Sequence, residues 1–273
     1  MAIMRVTFAS EVLSRYIDLN VIVPMETPGL PGTETTEKTR RQKFRTLYLL
    51  HGYGGNQDDW LTCSHIRTLA DEYGIAVVLP AGENSFYVDG QAVGTRWGEM
   101  AGRELVAFTR QMFPLSDKRE DTFIGGLSMG GFGALRLESR YHETFSRIFC
   151  LSGAFVIDDI AGIKEGYSDG IGDYDCYHHI FGDLEQLKES PKDPVWCVKR
   201  AIEAGNIPQV YMACGSEDFL LEKNREMKKK LETLGVQLDY VETPGTHDWV
   251  FWNKHLEPAI RWVLGDRCGK AMK

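Results

Sequence analysis

Apolar runs of strand length recur along the chain at residues 4–8, 16–23, 44–50, 75–79, 122–127, 148–151, 210–213 and 237–241, with polar or glycine-rich segments between them. From the third run onward they alternate with stretches of helical character around residues 66–72, 99–113, 131–139, 219–234 and 253–264. Such alternation predicts an α/β fold: a mostly parallel, eight-stranded sheet with helices on both faces. The first two runs have no helix between them, which predicts an antiparallel pair at one edge. A sheet of this kind presents its working loops at the carboxyl ends of its strands. Two stretches break the alternation. Residues 26–42, with Pro28-Gly29-Leu30-Pro31-Gly32 and a polar tail, read as an exposed, mobile hairpin excursion. Residues 155–205 mix aromatics with Gly and Asp and read as an insertion folding over the sheet as a small partial lid.

Composition narrows the class. A chain of 273 residues with 43% hydrophobic content can bury one large core, so a single domain over 1–273 is expected. The formal charge of −8, from 31 Lys plus Arg against 39 Asp plus Glu, argues against nucleic-acid partners and an anionic membrane surface. Lys228-Lys229-Lys230 shares a helical stretch with Glu222, Glu226 and Glu232 and reads as a solvated face. No apolar run approaches the roughly 18 residues of a membrane span, and the first residues show no export leader. The six cysteines (Cys63, Cys150, Cys176, Cys197, Cys214, Cys268) are scattered without close pairs, like the reduced thiols of a cytoplasmic protein.

The chemistry centres on Gly126-Leu127-Ser128-Met129-Gly130-Gly131. A Gly-x-Ser-x-Gly pattern is weak alone, but here an apolar strand precedes it and a helical stretch follows. A serine on so sharp a turn exposes its hydroxyl above the sheet, and the flanking glycines let strand and helix pass closely. Its hydroxyl is a poor nucleophile until an imidazole takes its proton and a carboxylate orients that imidazole. Beyond the helical stretch that follows the serine come His178, His179, His247 and His255, and His247 stands out in a turn after the last predicted strand, Thr243-Pro244-Gly245-Thr246-His247-Asp248-Trp249. For the acid, Glu217 and Asp218 both follow the 210–213 strand on the same rim, and Asp218 also suits a helix cap. An oxyanion hole needs two preorganised donors. The amide of Met129 supplies one, and the glycine-rich loop His51-Gly52-Tyr53-Gly54-Gly55 can present that of Tyr53, with His51 positioning the loop. Tyr53, Trp60, Trp97, Phe155 and Trp249 are candidates to line an acyl pocket. Asp173, Asp175, His178 and His179 cluster in the insertion, but their spacing does not close a zinc site, so no metal is expected.

Taken together, Leu50-His51-Gly52, the Ser128 turn, Cys214-Gly215-Ser216-Glu217-Asp218-Phe219-Leu220 and Gly245-Thr246-His247-Asp248-Trp249 resemble the esterase D-like branch of the α/β-hydrolases. That branch includes tributyrin esterases, feruloyl esterases, S-formylglutathione hydrolases and mycolyltransferases, and the resemblance runs from about residue 7 to 262. It implies the α/β-hydrolase fold, with Ser128 as nucleophile, Asp218 as acid, His247 as base, and Tyr53 and Met129 at the oxyanion positions. It also implies a cofactor-free carboxylesterase acting on small-molecule esters, in a family whose members often form homo-oligomers. The Gly-Leu-Ser-Met-Gly-Gly turn looks closest to tributyrin and feruloyl esterases, because Leu127 stands where S-formylglutathione hydrolases carry a histidine. The expected activity is hydrolysis of short-chain acyl esters, with feruloyl or cinnamoyl sugar esters, glutathione thioesters and acyl transfer as alternatives. A noncatalytic hydrolase-like binding protein is the remote rival, disfavoured because every catalytic position is filled by a competent residue.

Overall fold

The computed structural model describes residues 1–24 and 43–265. The excursion expected at 26–42 and Cys268 lie outside them. Eight strands form one sheet: β1 (Ala2–Ser10), β2 (Arg15–Val23), β3 (Thr46–Leu50), β4 (Ala76–Pro80), β5 (Thr122–Leu127), β6 (Arg147–Leu151), β7 (Gln209–Gly215) and β8 (Gln237–Thr243), in the spatial order β1-β2-β4-β3-β5-β6-β7-β8. β2 is antiparallel to both its neighbours, and every pair from β4 to β8 is parallel. Every residue of β3, β4 and β5 is buried, as befits parallel strands covered on both faces. One apolar cluster, with Tyr48, Phe132 and Leu135, packs on one face, and another, with Leu47, Trp60, Tyr211 and Trp262, on the other.

Helix bounds shift where local chemistry intervenes. The stretch expected at 99–113 is a continuous helical run that begins at Trp97, makes a π turn over Met100–Glu104 and ends at Met112. The last helix starts at Trp249, ahead of the expected 253, because the Asp248 carboxylate accepts the Phe251 N–H at 2.9 Å and caps it. A short helix, Asp59–Cys63, carries Trp60 and has too few residues to show a period. Between β6 and β7, residues 155–205 fold into helices Ile157–Ile160, Tyr174–Phe181 and Pro194–Glu203. Phe181 ties this segment down by packing on Phe86 and Phe132. No helix among the described residues is long and apolar enough to cross a membrane.

Candidate active site

β5 ends at Leu127 and the next helix starts at Met129, so the chain reverses at one residue. Ser128 takes φ 51° and ψ −119°, a costly conformation for a side chain with a Cβ. Backbone bonds hold it from both sides. Its N–H donates to Leu151 O on β6 at 2.9 Å, while its carbonyl accepts from Gly131, Phe132 and Ala154 at 3.0, 3.1 and 3.0 Å. The flanking glycines are needed for close approach. A Cβ on Gly126 would lie 2.5 Å from the Gly130 carbonyl carbon, and one on Gly130 would run into the Leu50 carbonyl.

Two loops bring the partners. After β8, His247 places Nε2 at 3.0 Å from Ser128 Oγ. Its Nδ1 lies 2.9 and 3.1 Å from the two carboxylate oxygens of Asp218, which follows β7. An ionised carboxylate only accepts, so Nδ1 carries the proton and Nε2 is left to accept from the serine. Burial pushes the Asp218 carboxyl up, but hydrogen bonds from His247 and the Leu220 amide and attraction to the imidazole outweigh it and hold the group below the ordinary carboxylate range. Asp218 Oδ1 accepts the Leu220 N–H at 2.8 Å in a turn ahead of the helix, which starts at Leu221 with Leu220 as its N-cap, so Asp218 does not cap the helix as its sequence suggests. Glu217 clamps the histidine loop instead, accepting the Gly245 N–H at 2.6 Å and donating its own N–H to Gly245 O at 3.1 Å. The imidazole sits between the Phe219 ring at 4.6 Å and the Trp252 ring, edge-on at 5.0 Å.

Ser152 and Trp252 escaped the sequence reading. Ser152 is fully buried at φ 49° beyond β6, and its Oγ accepts the Trp252 indole N–H at 3.1 Å while interacting with the Asp218 carboxylate. A serine ending a strand is too common to single out, and only the left-handed backbone and the β6–β7 adjacency bring it to Asp218. Trp252 lies one residue ahead of the helix expected from 253, in an aromatic-rich stretch that gives it no distinct role.

On the opposite side, Met129 opens its helix, where amide N–H groups have no intrahelical acceptor. Gly52 borders the nucleophile: a Cβ built on it would lie 3.5 Å from Ser128 Cβ. The next residue, Tyr53, walls a cavity of about 300 Å³ with Glu83, Asn84, Trp97, Cys176 and His179. Its hydroxyl meets Cys176 Sγ at 3.4 Å. His51 points away from the serine, its Nε2 accepting the Gly82 N–H at 2.9 Å and its Nδ1 at 2.8 Å from Gly52 O.

Of the other aromatic candidates, Trp97 lines that cavity with Arg15 stacked 4.7 Å from its ring. Trp60 is 1% exposed and donates its indole N–H to Leu50 O at 3.0 Å, which makes it a core residue in place of the expected pocket wall. Trp249 packs edge-on against Trp60 and Trp252 at 5.1 and 5.2 Å. Phe155 is buried beside a separate cavity of about 110 Å³ that it shares with Phe132, Ile157 and Met227. Asp173 caps the Tyr174–Phe181 helix by accepting from Cys176 N, and no metal-ligating cluster occurs among the described residues.

A mostly parallel eight-stranded sheet that carries a strained serine between β5 and its helix, with an imidazole and a carboxylate in line behind it, defines an α/β-hydrolase. Comparison with known proteins takes the class further. The model of the Esterase family matches residues 30–263, and the chain belongs to that family. An acetyl esterase of Caldicellulosiruptor saccharolyticus is 43% identical over 264 residues, 96% of this chain and 98% of that one. Among solved structures, the fluorophosphonate-binding serine hydrolase FphF of Staphylococcus aureus superposes with TM-score 0.82 at 26% identity, over 97% of this chain and 99% of that one. The S-formylglutathione hydrolase FrmB of the same organism gives 0.80 at 26% identity over the same shares. A ferulic acid esterase at 21% identity and TM-score 0.73, covering 96% of this chain and 97% of that one, shares the fold. The protein is a carboxylic ester hydrolase.

Proposed function

We propose that the protein hydrolyses short-chain acyl esters, acetyl or butyryl, through an acyl-enzyme on Ser128. The observation that carries this reading is the chain of hydrogen bonds from Ser128 Oγ through His247 to Asp218. His247 Nε2 takes the serine proton as Oγ attacks the ester carbonyl, and Asp218 stabilises the imidazolium. The Tyr53 and Met129 amides stabilise the tetrahedral oxyanion. The imidazolium then protonates the leaving alkoxide, and the freed imidazole activates the water that releases the acid. None of these steps calls for a cofactor.

The acetyl esterase relative supports a small acyl group. With so small an acyl group, the cavity beside Tyr53 receives the alcohol part, and residues 155–205 act as a partial lid whose Cys176 meets Tyr53. A glutathione leaving group is disfavoured because no lysine or arginine among the described residues lines that cavity to hold its carboxylates. Five free cysteines among the described residues support a cytoplasmic location.

The test is hydrolysis of p-nitrophenyl acetate, butyrate, octanoate and ferulate by wild type and Ser128→Ala. Turnover falls steeply from butyrate to octanoate, and loss of the nucleophile costs about 10⁶-fold in kcat in the folded variant. Preference for octanoate or ferulate would overturn the short-chain reading. Undiminished activity of Ser128→Ala would overturn the mechanism.

A further inference from the structure

The loop after β4 concentrates backbone strain while burying Phe86, against Phe132 and Phe181, and Tyr87. Within six residues, Glu83, Phe86 and Tyr87 adopt φ of 44°, 51° and 52°, the left-handed region that side chains avoid. Besides these contacts, the loop touches the 51–54 segment after β3 at three points. Gly82 N–H donates to His51 Nε2 at 2.9 Å, Tyr87 Oη–H donates to His51 O at 3.2 Å, and Asn84 Oδ1 accepts the Gly54 N–H at 2.6 Å.

The first contact decides a tautomer. Because Nε2 accepts, the His51 proton lies on Nδ1 and is donated to Gly52 O at 2.8 Å. In a trans peptide the C=O and the following N–H point in opposite directions. Turning the Gly52 carbonyl toward His51 therefore turns the Tyr53 N–H away from it. The Asn84 contact fixes the next peptide unit through Gly54, so the peptides on both sides of Tyr53 are pinned.

We propose that Asn84 and Tyr87 are positioning residues of the oxyanion hole: the strained 82–87 loop is a buttress that fixes the direction of the Tyr53 amide before substrate arrives. The proposal rests on Tyr53 as an oxyanion donor. Electrostatic stabilisation depends on donors already aimed at the position the oxyanion will occupy, so a loosened peptide forfeits transition-state binding while ground-state binding survives.

The experiment compares wild type with Tyr87→Phe, Asn84→Ala and Asn84→Asp, with p-nitrophenyl acetate as substrate and an aryl trifluoromethyl ketone as inhibitor. The ketone forms a hemiketal oxyanion on the serine. Tyr87→Phe and Asn84→Ala each lose about 10- to 100-fold in kcat with KM within about twofold, and the inhibition constant rises by the same factor as kcat/KM falls. Asn84→Asp keeps an acceptor for the Gly54 N–H and has a higher kcat than Asn84→Ala.

Thermal melts report the folded fraction. Losses that merely track it, a rise in KM at unchanged kcat, or an unchanged inhibition constant would overturn the buttress. The site reading fails separately, through a Ser128→Ala protein that stays active. Activity abolished by Ser128→Ala yet indifferent to Tyr87→Phe and Asn84→Ala would reject the buttress alone.

Discussion

Asp218 carries two hydrogen-bond duties at once, orienting His247 and closing the turn through Leu220 N–H. An asparagine there keeps a carbonyl oxygen for the turn but presents either that oxygen or an NH₂ to Nδ1, and it loses the charge that stabilises an imidazolium. With NH₂ facing Nδ1, the proton moves to Nε2, facing the serine it should deprotonate. Asp218→Asn is therefore expected to fold and to lose about 10³- to 10⁴-fold in kcat on p-nitrophenyl acetate. A loss under about tenfold would show that the carboxylate does not govern the tautomer. Ser128, Asp218 and His247 were legible in the sequence because each stands in a turn of recognisable composition. Glu217 was legible as a neighbour and ambiguous in role, since both acidic side chains leave the same strand end. Ser152 and Trp252 were hidden, because their relation to Asp218 arises only once β6 and β7 lie side by side. Trp60 misled for a related reason: an aromatic near a strand end fits a pocket wall and a core equally until burial is known.

Among the elements, the turn between β5 and its helix is where sequence and geometry constrain each other most tightly. Its backbone spacing leaves no room for a methyl group at residue 126, where the obstacle is the Gly130 main chain and cannot rotate aside. Gly126→Ala is expected to lower the midpoint of urea unfolding by the equivalent of ~1–3 kcal/mol at an unchanged m-value. An unaltered midpoint would mean that strand and helix part without cost. The strands and their order of direction were readable from short apolar runs, and the helices from longer periodic ones. Their ends were less so. The Asp248 cap lies ahead of the apolar run it serves, and the π turn at Met100–Glu104 has no distinct composition. In 155–205, Ile157–Ile160 is too short for a period to emerge, whereas Pro194–Glu203 buries residues 194, 197, 198 and 201 at helical spacing, a signal masked by the surrounding Gly- and Asp-rich sequence.

At the scale of the whole molecule, Glu138 is a buried carboxyl set apart from the chemistry. Glu138, at the far end of the helix that begins at Met129, is 1% exposed, and burial pushes its carboxyl up to about 8 against the attraction of Arg119 at 3.8 Å. Its folded value exceeds its unfolded one, so folding takes up a proton between them. Its stabilising contribution is complete below the unfolded value of about 4.5 and is lost at about 1.4 kcal/mol per pH unit until the folded value of about 8 is passed. Glu138→Gln should gain on wild type between about pH 5 and pH 9 in urea-unfolding midpoints, and an equal difference at both would refute the linkage. The nucleophile, acid and base hang on loops after β5, β7 and β8, and the bonds joining them span 119 and 29 residues. Such separations make the site among the last features of the chain to assemble, since distant segments must meet before any bond rewards them. In refolding from urea, helical circular dichroism should therefore recover before hydrolysis of p-nitrophenyl acetate does. Simultaneous recovery would mean that the sheet closes in one step. If the lag is found, catalysis becomes a clock for the closing of the fold, because a chain still missing β8 can be compact and helical and yet have no base to offer its serine.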